Sequence, residues 1–214
     1  GEFPPEMPYR LRIEAKGDTQ SVYETYDAYA FPLQISDHDV YLFNEGKLRQ
    51  AYRMLGAQRV RNSGVDGVRF SVWAPNAGRV SVVGDFNRWD GRMHPLRARG
   101  DTGVWELFVP RLGPGEIYKF ELRNRASGEL ALKADPYARR AELRPANASI
   151  VAGAGRHDWQ DADWLRSRAS RDWLHAPMSI YEVHPGSWQR HEDGSFLSWR
   201  ELAAQLIPYV QQLG

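Results

Sequence analysis

The stretch R-F-S-V-W-A-P-N-A-G-R-V-S-V-V-G-D-F-N-R-W-D-G-R, residues 69–92, decides the fold. It holds two short β-rich runs bounded by turn residues. Val68, Phe70 and Val72 alternate with polar neighbours, which turns one face of the strand toward a core. The same texture continues in G-V-W-E-L-F-V-P at 103–110, E-I-Y-K-F-E-L at 116–122 and A-S-I-V at 148–151. Tyr118, Phe120 and Leu122 repeat the alternation, and L-G-P-G-E and R-A-S-G-E supply turns between runs. Strands of this length and spacing predict a mainly β protein built on an immunoglobulin-like antiparallel β-sandwich, placed at residues 61–155.

The flanks read differently. Residues 9–60 hold short polar–apolar alternations and a Tyr-rich stretch that complete no core, so residues 1–60 are assigned to a scar, a tail of a preceding domain and a linker, with a possible short helix in E-G-K-L-R-Q-A-Y-R-M-L. Gly1–Phe3 resembles a cloning scar. Residues 156–177 carry Trp159, Trp164 and Trp173 without clean periodicity and read as a connection. Met178 to His184 reads as a buried strand running into a Pro-Gly corner. Ser198 and Glu201 form a capping box ahead of a helix whose stripe is Trp199, Leu202, Ala203, Leu206, Tyr209, Val210 and Leu213. Pro208 is expected to kink this helix and Gly214 to end it. A strand, a helix and a glycine call for a second parallel strand, so residues 178–214 are read as the start of a further sheet cut off at the carboxyl end.

Composition removes several classes of function. The 214 residues carry 28 basic and 27 acidic side chains, a net charge of +1 that provides no field for nucleic acid or an anionic membrane. No apolar run reaches the ~18 residues of a membrane span, and a cytoplasmic protein is expected. There are no cysteines, which excludes disulfides, thiolate metal sites and cysteine nucleophiles. The six histidines show no metal spacing. G-A-G-R-H-D and G-P-G-E lack the rest of a phosphate loop, and no cofactor is implied.

The residues themselves point to a family. The 69–92 stretch is similar to the carbohydrate-binding module of family 48, and L-K-A-D-P-Y-A at 132–138 with R-P-A-N-A-S at 144–149 resembles the end of that module. S-I-Y-E-V-H-P-G-S-W-Q-R at 179–190 resembles the first barrel strand and loop of the family 13 catalytic domain, in the form found in bacterial 1,4-α-glucan (glycogen) branching enzymes. The resemblance implies a parent enzyme that transfers α-1,4-glucan chains to α-1,6 positions of glycogen, with residues 178–214 as the incomplete start of a (β/α)8 barrel. It also implies that the catalytic carboxylates of the retaining mechanism lie beyond Gly214, so that this chain alone is inactive. Its expected partners are α-glucan and the remainder of its own barrel. The alternatives are a module that docks on the barrel without holding sugar unaided, a module from a debranching or trehalose-forming hydrolase, or a non-enzymatic glycogen-binding module.

Trp89 is the leading candidate for sugar contact, because the flat face of an indole covers the C–H face of a glucose ring while its N–H or a neighbouring polar group takes a hydroxyl. The resemblance adds Lys119 and Asn147 as further sugar-contacting positions. Asp85 and Asn87 are expected to shape the turn. Trp73 and Trp105 are assigned to the core. Glu182 and His184, two apart on the expected strand, are read as satisfying each other and their neighbours rather than as an acid–base pair.

Overall fold

The alternation in R-L-R-I-E and V-Y-E-T-Y favours extended backbone, and β1 (Arg10–Glu14) pairs antiparallel with β2 (Val22–Tyr26). The computed structural model describes residues 8–14, 22–153, 155 and 157–213; the scar expected at 1–3 and the helix-ending Gly214 lie outside them. The chain divides into two units, residues 1–156 and 157–214.

In the first unit, Ser36 caps α1 (Asp37–Asn44) by accepting the amide of Asp39 at 3.0 Å. Gly46, at φ 69°, donates to Phe43 and ends the helix. The helix expected across residues 45–55 is therefore broken, and only α2 (Ala51–Met54) forms from it. Next, β3 (Gly56–Asn62) turns into β4 (Val65–Trp73) through Ser63 and Gly64, both at positive φ as a two-residue hairpin requires. The expected boundary at residue 61 thus falls inside β3, which belongs to the sandwich.

The remaining strands are β5 (Ala77–Gly84), β6 (Arg97–Ala98), β7 (Val104–Pro110), β8 (Ile117–Asn124), β9 (Leu130–Lys133) and β10 (Ser149–Ile150). One four-stranded sheet runs β3-β4-β7-β6, and the other runs β10-β8-β5 with β9 also on β8. All pairings are antiparallel. Val68, Phe70 and Val72 of the first sheet, with Trp105, Leu107 and Val109, share one core with Val80, Val82, Tyr118 and Phe120 of the second. The Phe70 and Tyr118 rings meet edge-on at 5.0 Å. This is the expected sandwich, with the alternating residues inside.

The second unit holds α3 (Ala162–Ser170), α4 (Pro185–Trp188) and α5 (Trp199–Leu213). The capping box is present: Ser198 N–H donates to Glu201 at 2.8 Å and Glu201 N–H to Ser198 Oγ at 3.3 Å. The helix runs through Pro208 to Leu213 as a single element. Residues 178–184, by contrast, form no strand, and no barrel start is seen among the described residues. A parallel strand draws its ladder from flanking strands, and this unit has none among its described residues. Tyr181 instead accepts from Trp188 Nε1 at 3.0 Å and packs on Tyr209 at 5.6 Å between ring centroids. Of the α5 stripe only Leu202 is buried, whereas Trp199, Tyr209, Val210 and Leu213 are exposed.

The expectation that residues 9–60 complete no core is corrected by the first sheet's other face. Ile35, Val40, Met54 and Leu55 form a second buried cluster with Val104, and Phe31 packs on Phe108 at 4.9 Å. Their irregular spacing carries no periodic signal, because they cover a surface from loops and short helices. The dock is polar as well as apolar. Buried Glu106 accepts the backbone amides of Gln34 at 2.6 Å and Ile35 at 3.2 Å, with Arg99 3.6 Å away. Ser71 Oγ donates to Met54 O at 2.5 Å and Arg69 to Arg53 O at 2.9 Å. Removing the carboxylate leaves two buried amides unpaired and takes one of two carboxylate partners from Arg99, which keeps Asp37; the loss costs about 3 kcal/mol. Glu106→Leu is therefore expected to lose that much stability in urea unfolding and Glu106→Gln distinctly less, and a Glu106→Leu midpoint equal to wild type would contradict this account.

Candidate functional site

The G-D-F-N-R-W motif begins where β5 runs out. Gly84 is packed so closely that a Cβ there would lie 2.1 Å from the carbonyl oxygen of Ile117, so the chain leaves the sheet against β8 with no room for a side chain. Asn87 then closes the turn from inside. It is buried, accepts Gly84 N–H at 2.9 Å, donates to Val82 O at 2.9 Å and lies 3.0 Å from His94 Nδ1. All of its hydrogen-bonding groups are engaged, which fits its expected turn-shaping role. Arg88 and Trp89 follow at φ 54° and 60°, a left-handed pair uncommon outside glycine, and Trp89 N–H donates to Gly84 O at 2.9 Å.

Asp85 does not play the same part. Its Oδ1 accepts the indole Nε1–H of Trp89 at 2.8 Å. The N–H that was expected to meet a sugar hydroxyl is thus already engaged, and Trp89 is half-buried. Beyond it, Arg92 pairs with Asp90 and, through those hydrogen bonds, holds its carboxyl down at about 2. Gly91 lies against the Glu121 carboxylate, itself paired with Arg79 at 2.5 Å.

Lys119 stands on β8 opposite Val83, between Tyr118 and Phe120, whose side chains enter the core. It therefore lies on the outer face of the second sheet. Its Nζ donates to Asn147 Oδ1 at 2.5 Å, so the structure brings Lys119 and Asn147 together. Trp89 is tied by its backbone to Gly84, which pairs with Tyr118, the neighbour of Lys119. All three sequence-predicted residues thus belong to the second sheet and the loops that leave it.

Other expectations resolve variously. Trp105 is a core residue, with Nε1 donating to Ala74 O at 3.1 Å. Trp73 is not: it points from the outer face of the first sheet, is 52% exposed and meets Phe43 edge-on. Strand alternation next to buried Val72 carries that signal. Glu182 and His184 do not pair; His184 Nδ1 lies 2.9 Å from Ser187 Oγ. A network absent from the sequence reading sits inside the module, where Tyr118 OH donates to Asp135 at 2.6 Å and Asp135 N–H to Ser149 Oγ at 2.8 Å. Burial pushes both the Asp135 carboxyl and the Tyr118 phenol up. Among the described residues no group of His, Asp and Glu could hold a metal ion, and no helix is long and apolar enough to cross a membrane.

Residues 54–138 match the family described as carbohydrate-binding module 48 (isoamylase N-terminal domain). The chain carries a module of that family. Over nearly its whole length it also matches the amino-terminal region of 1,4-alpha-glucan branching enzymes. It is 61% identical over 207 residues to the branching enzyme GlgB of Nitrosomonas eutropha, covering 97% of this chain and 28% of that protein. To GlgB of Nitrosospira multiformis it is 58% identical over 216 residues, covering 100% and 29%. The chain therefore spans under a third of the length of these curated relatives. Among solved structures, PulA from Klebsiella oxytoca is similar at 28% identity and a TM-score of 0.39, over 46% of this chain and 9% of that one.

His94 links this turn to pH. Burial lowers its pKa below the ordinary 6.5, and its Nδ1 faces the Asn87 amide nitrogen. As pH falls through 6.5 the unfolded chain takes up the proton first, so stability is full above that value and is lost toward the lower folded pKa. Thermal midpoints are expected to fall between about pH 7.5 and 5.5, less steeply in His94→Gln; equal slopes in the two proteins would contradict the assignment.

Proposed function

We propose that this chain is the α-glucan-binding, amino-terminal part of a glycogen branching enzyme. The observation that carries the reading is the placement of Trp89 and the bonded Lys119–Asn147 pair on one sheet of a module that matches carbohydrate-binding module 48. An indole face takes the C–H face of a glucose ring, and the ammonium and amide take its hydroxyls. The names of the relatives support branching over the debranching or trehalose-forming alternatives. In the whole protein the proposed reaction is cleavage of an α-1,4 link and transfer of the released chain to a 6-hydroxyl, in the cytoplasm, by catalytic carboxylates outside this chain. Residues 178–214 are proposed to enter the first strand and helix of the catalytic barrel there, which would cover the exposed Val210 and Leu213 of α5 and give residues 178–184 a ladder.

Native gel migration with and without glycogen in the matrix tests the binding reading. Retardation of the wild-type chain that is lost in Trp89→Ala is the expected outcome; equal migration of the wild type in both gels would overturn it. The 214-residue chain is expected to show no branching turnover in an iodine-complex assay, and measurable turnover would refute the placement of the catalytic groups elsewhere.

A further inference from the structure

We infer that Asp85 is a positioning residue for the glucan site, holding the Trp89 indole in the orientation in which its face meets sugar; this rests on the binding reading proposed above. An aspartate that opens a turn ordinarily accepts nearby backbone amides. Here that work belongs to Asn87, which engages Gly84, Val82 and His94 and lies buried beneath the turn. The Asp85 side chain is spent on one partner, the indole N–H of Trp89 at 2.8 Å. Asp85 is exposed and Trp89 half-buried, so the bond sits at the surface, where a hydrogen bond adds little to the stability of the fold. What it does is remove rotational freedom from the ring.

The backbone prepares the same result. Arg88 and Trp89 both sit at positive φ, and the amide of Trp89 is tied back to Gly84. With the backbone and the indole edge both anchored, the side-chain torsions of Trp89 are fixed before any ligand arrives. Binding then avoids the cost of immobilising a free aromatic side chain, worth about three- to tenfold in affinity. The same bond withdraws the indole N–H from recognition. The ring is left to read the C–H face of a neutral pyranose, and the hydroxyls fall to Lys119 and Asn147.

The test uses the full chain as wild type, Asp85→Ala, Asp85→Asn and Trp89→Ala. Glycogen affinity is measured by gel retardation, and exchange of the Trp89 indole N–H by NMR, its resonance being the one missing from Trp89→Ala. Asparagine keeps an acceptor at the same place, so Asp85→Asn is expected to bind within about twofold of wild type and to keep the indole N–H protected. Asp85→Ala is expected to bind about three- to tenfold more weakly, with fast indole exchange and an unchanged thermal midpoint. Wild-type affinity in Asp85→Ala while Trp89→Ala is impaired would overturn the inference and leave the binding reading standing. Equal weakening in Asp85→Asn and Asp85→Ala would also overturn it, because the acceptor would then not be what matters. Unimpaired binding by Trp89→Ala would instead overturn the binding reading.

Discussion

The buried carboxylate of Glu106 organises the first unit. It stands on the outer face of a central strand, with a sheet behind it, and accepts two consecutive backbone amides from the segment that crosses in front. A charge in that position is tolerable only with partners, and here they come from the backbone and from Arg99, which also reaches Asp37 at the start of α1. The register of the crossing segment follows from that arrangement. Phe31 then falls on Phe108, and Ile35 and Val40 join Met54 and Leu55 over Val104. The outer face of the first sheet is thereby largely covered, with Trp73 at its end left 52% exposed, while Lys119 stands on the outer face of the second.

On that second sheet the division of labour between two similar side chains matters most. Asn87 and Asp85 are two residues apart in one motif, yet one points inward and satisfies backbone, and the other stays outside and holds a ring. An amide can donate and accept at once, which the inner position needs; a carboxylate accepts only, which is all the indole requires. The motif thus combines a rigid base with an oriented aromatic face.

Much of the sandwich was legible because its strands alternate. Val68, Phe70, Val72, Tyr118 and Phe120 lie in the core as their spacing predicts. What was not legible depends on contacts distant in sequence. β3, with its polar G-A-Q-R-V-R-N, reads as a linker until it is paired with β4, although Ser63-Gly64 was a turn signal in plain view. Phe31, Ile35 and Met54 have no period because they pack from irregular backbone. For the proposed site, Trp89 was named from its motif and Lys119 and Asn147 from the resemblance, but the bond between Lys119 and Asn147 spans 28 positions and leaves no local trace. The strand expected at 178–184 shows the opposite limit: an apolar run favours a ladder without supplying the neighbours that make one.

The bond between Lys119 and Asn147 has a consequence for how a polymer would be handled. The ammonium keeps two of its N–H groups after giving one to Asn147, and the amide keeps both of its own, against a single remaining lone pair on the amide oxygen. The pair thus forms a surface rich in donors and poor in acceptors, which would take the oxygens of sugar hydroxyls rather than their protons. Every glucose unit along an α-glucan offers hydroxyl oxygens of the same kind. Under the proposed glucan-binding reading, such a surface would not tell one unit from the next, and would keep a chain near the protein without fixing its register.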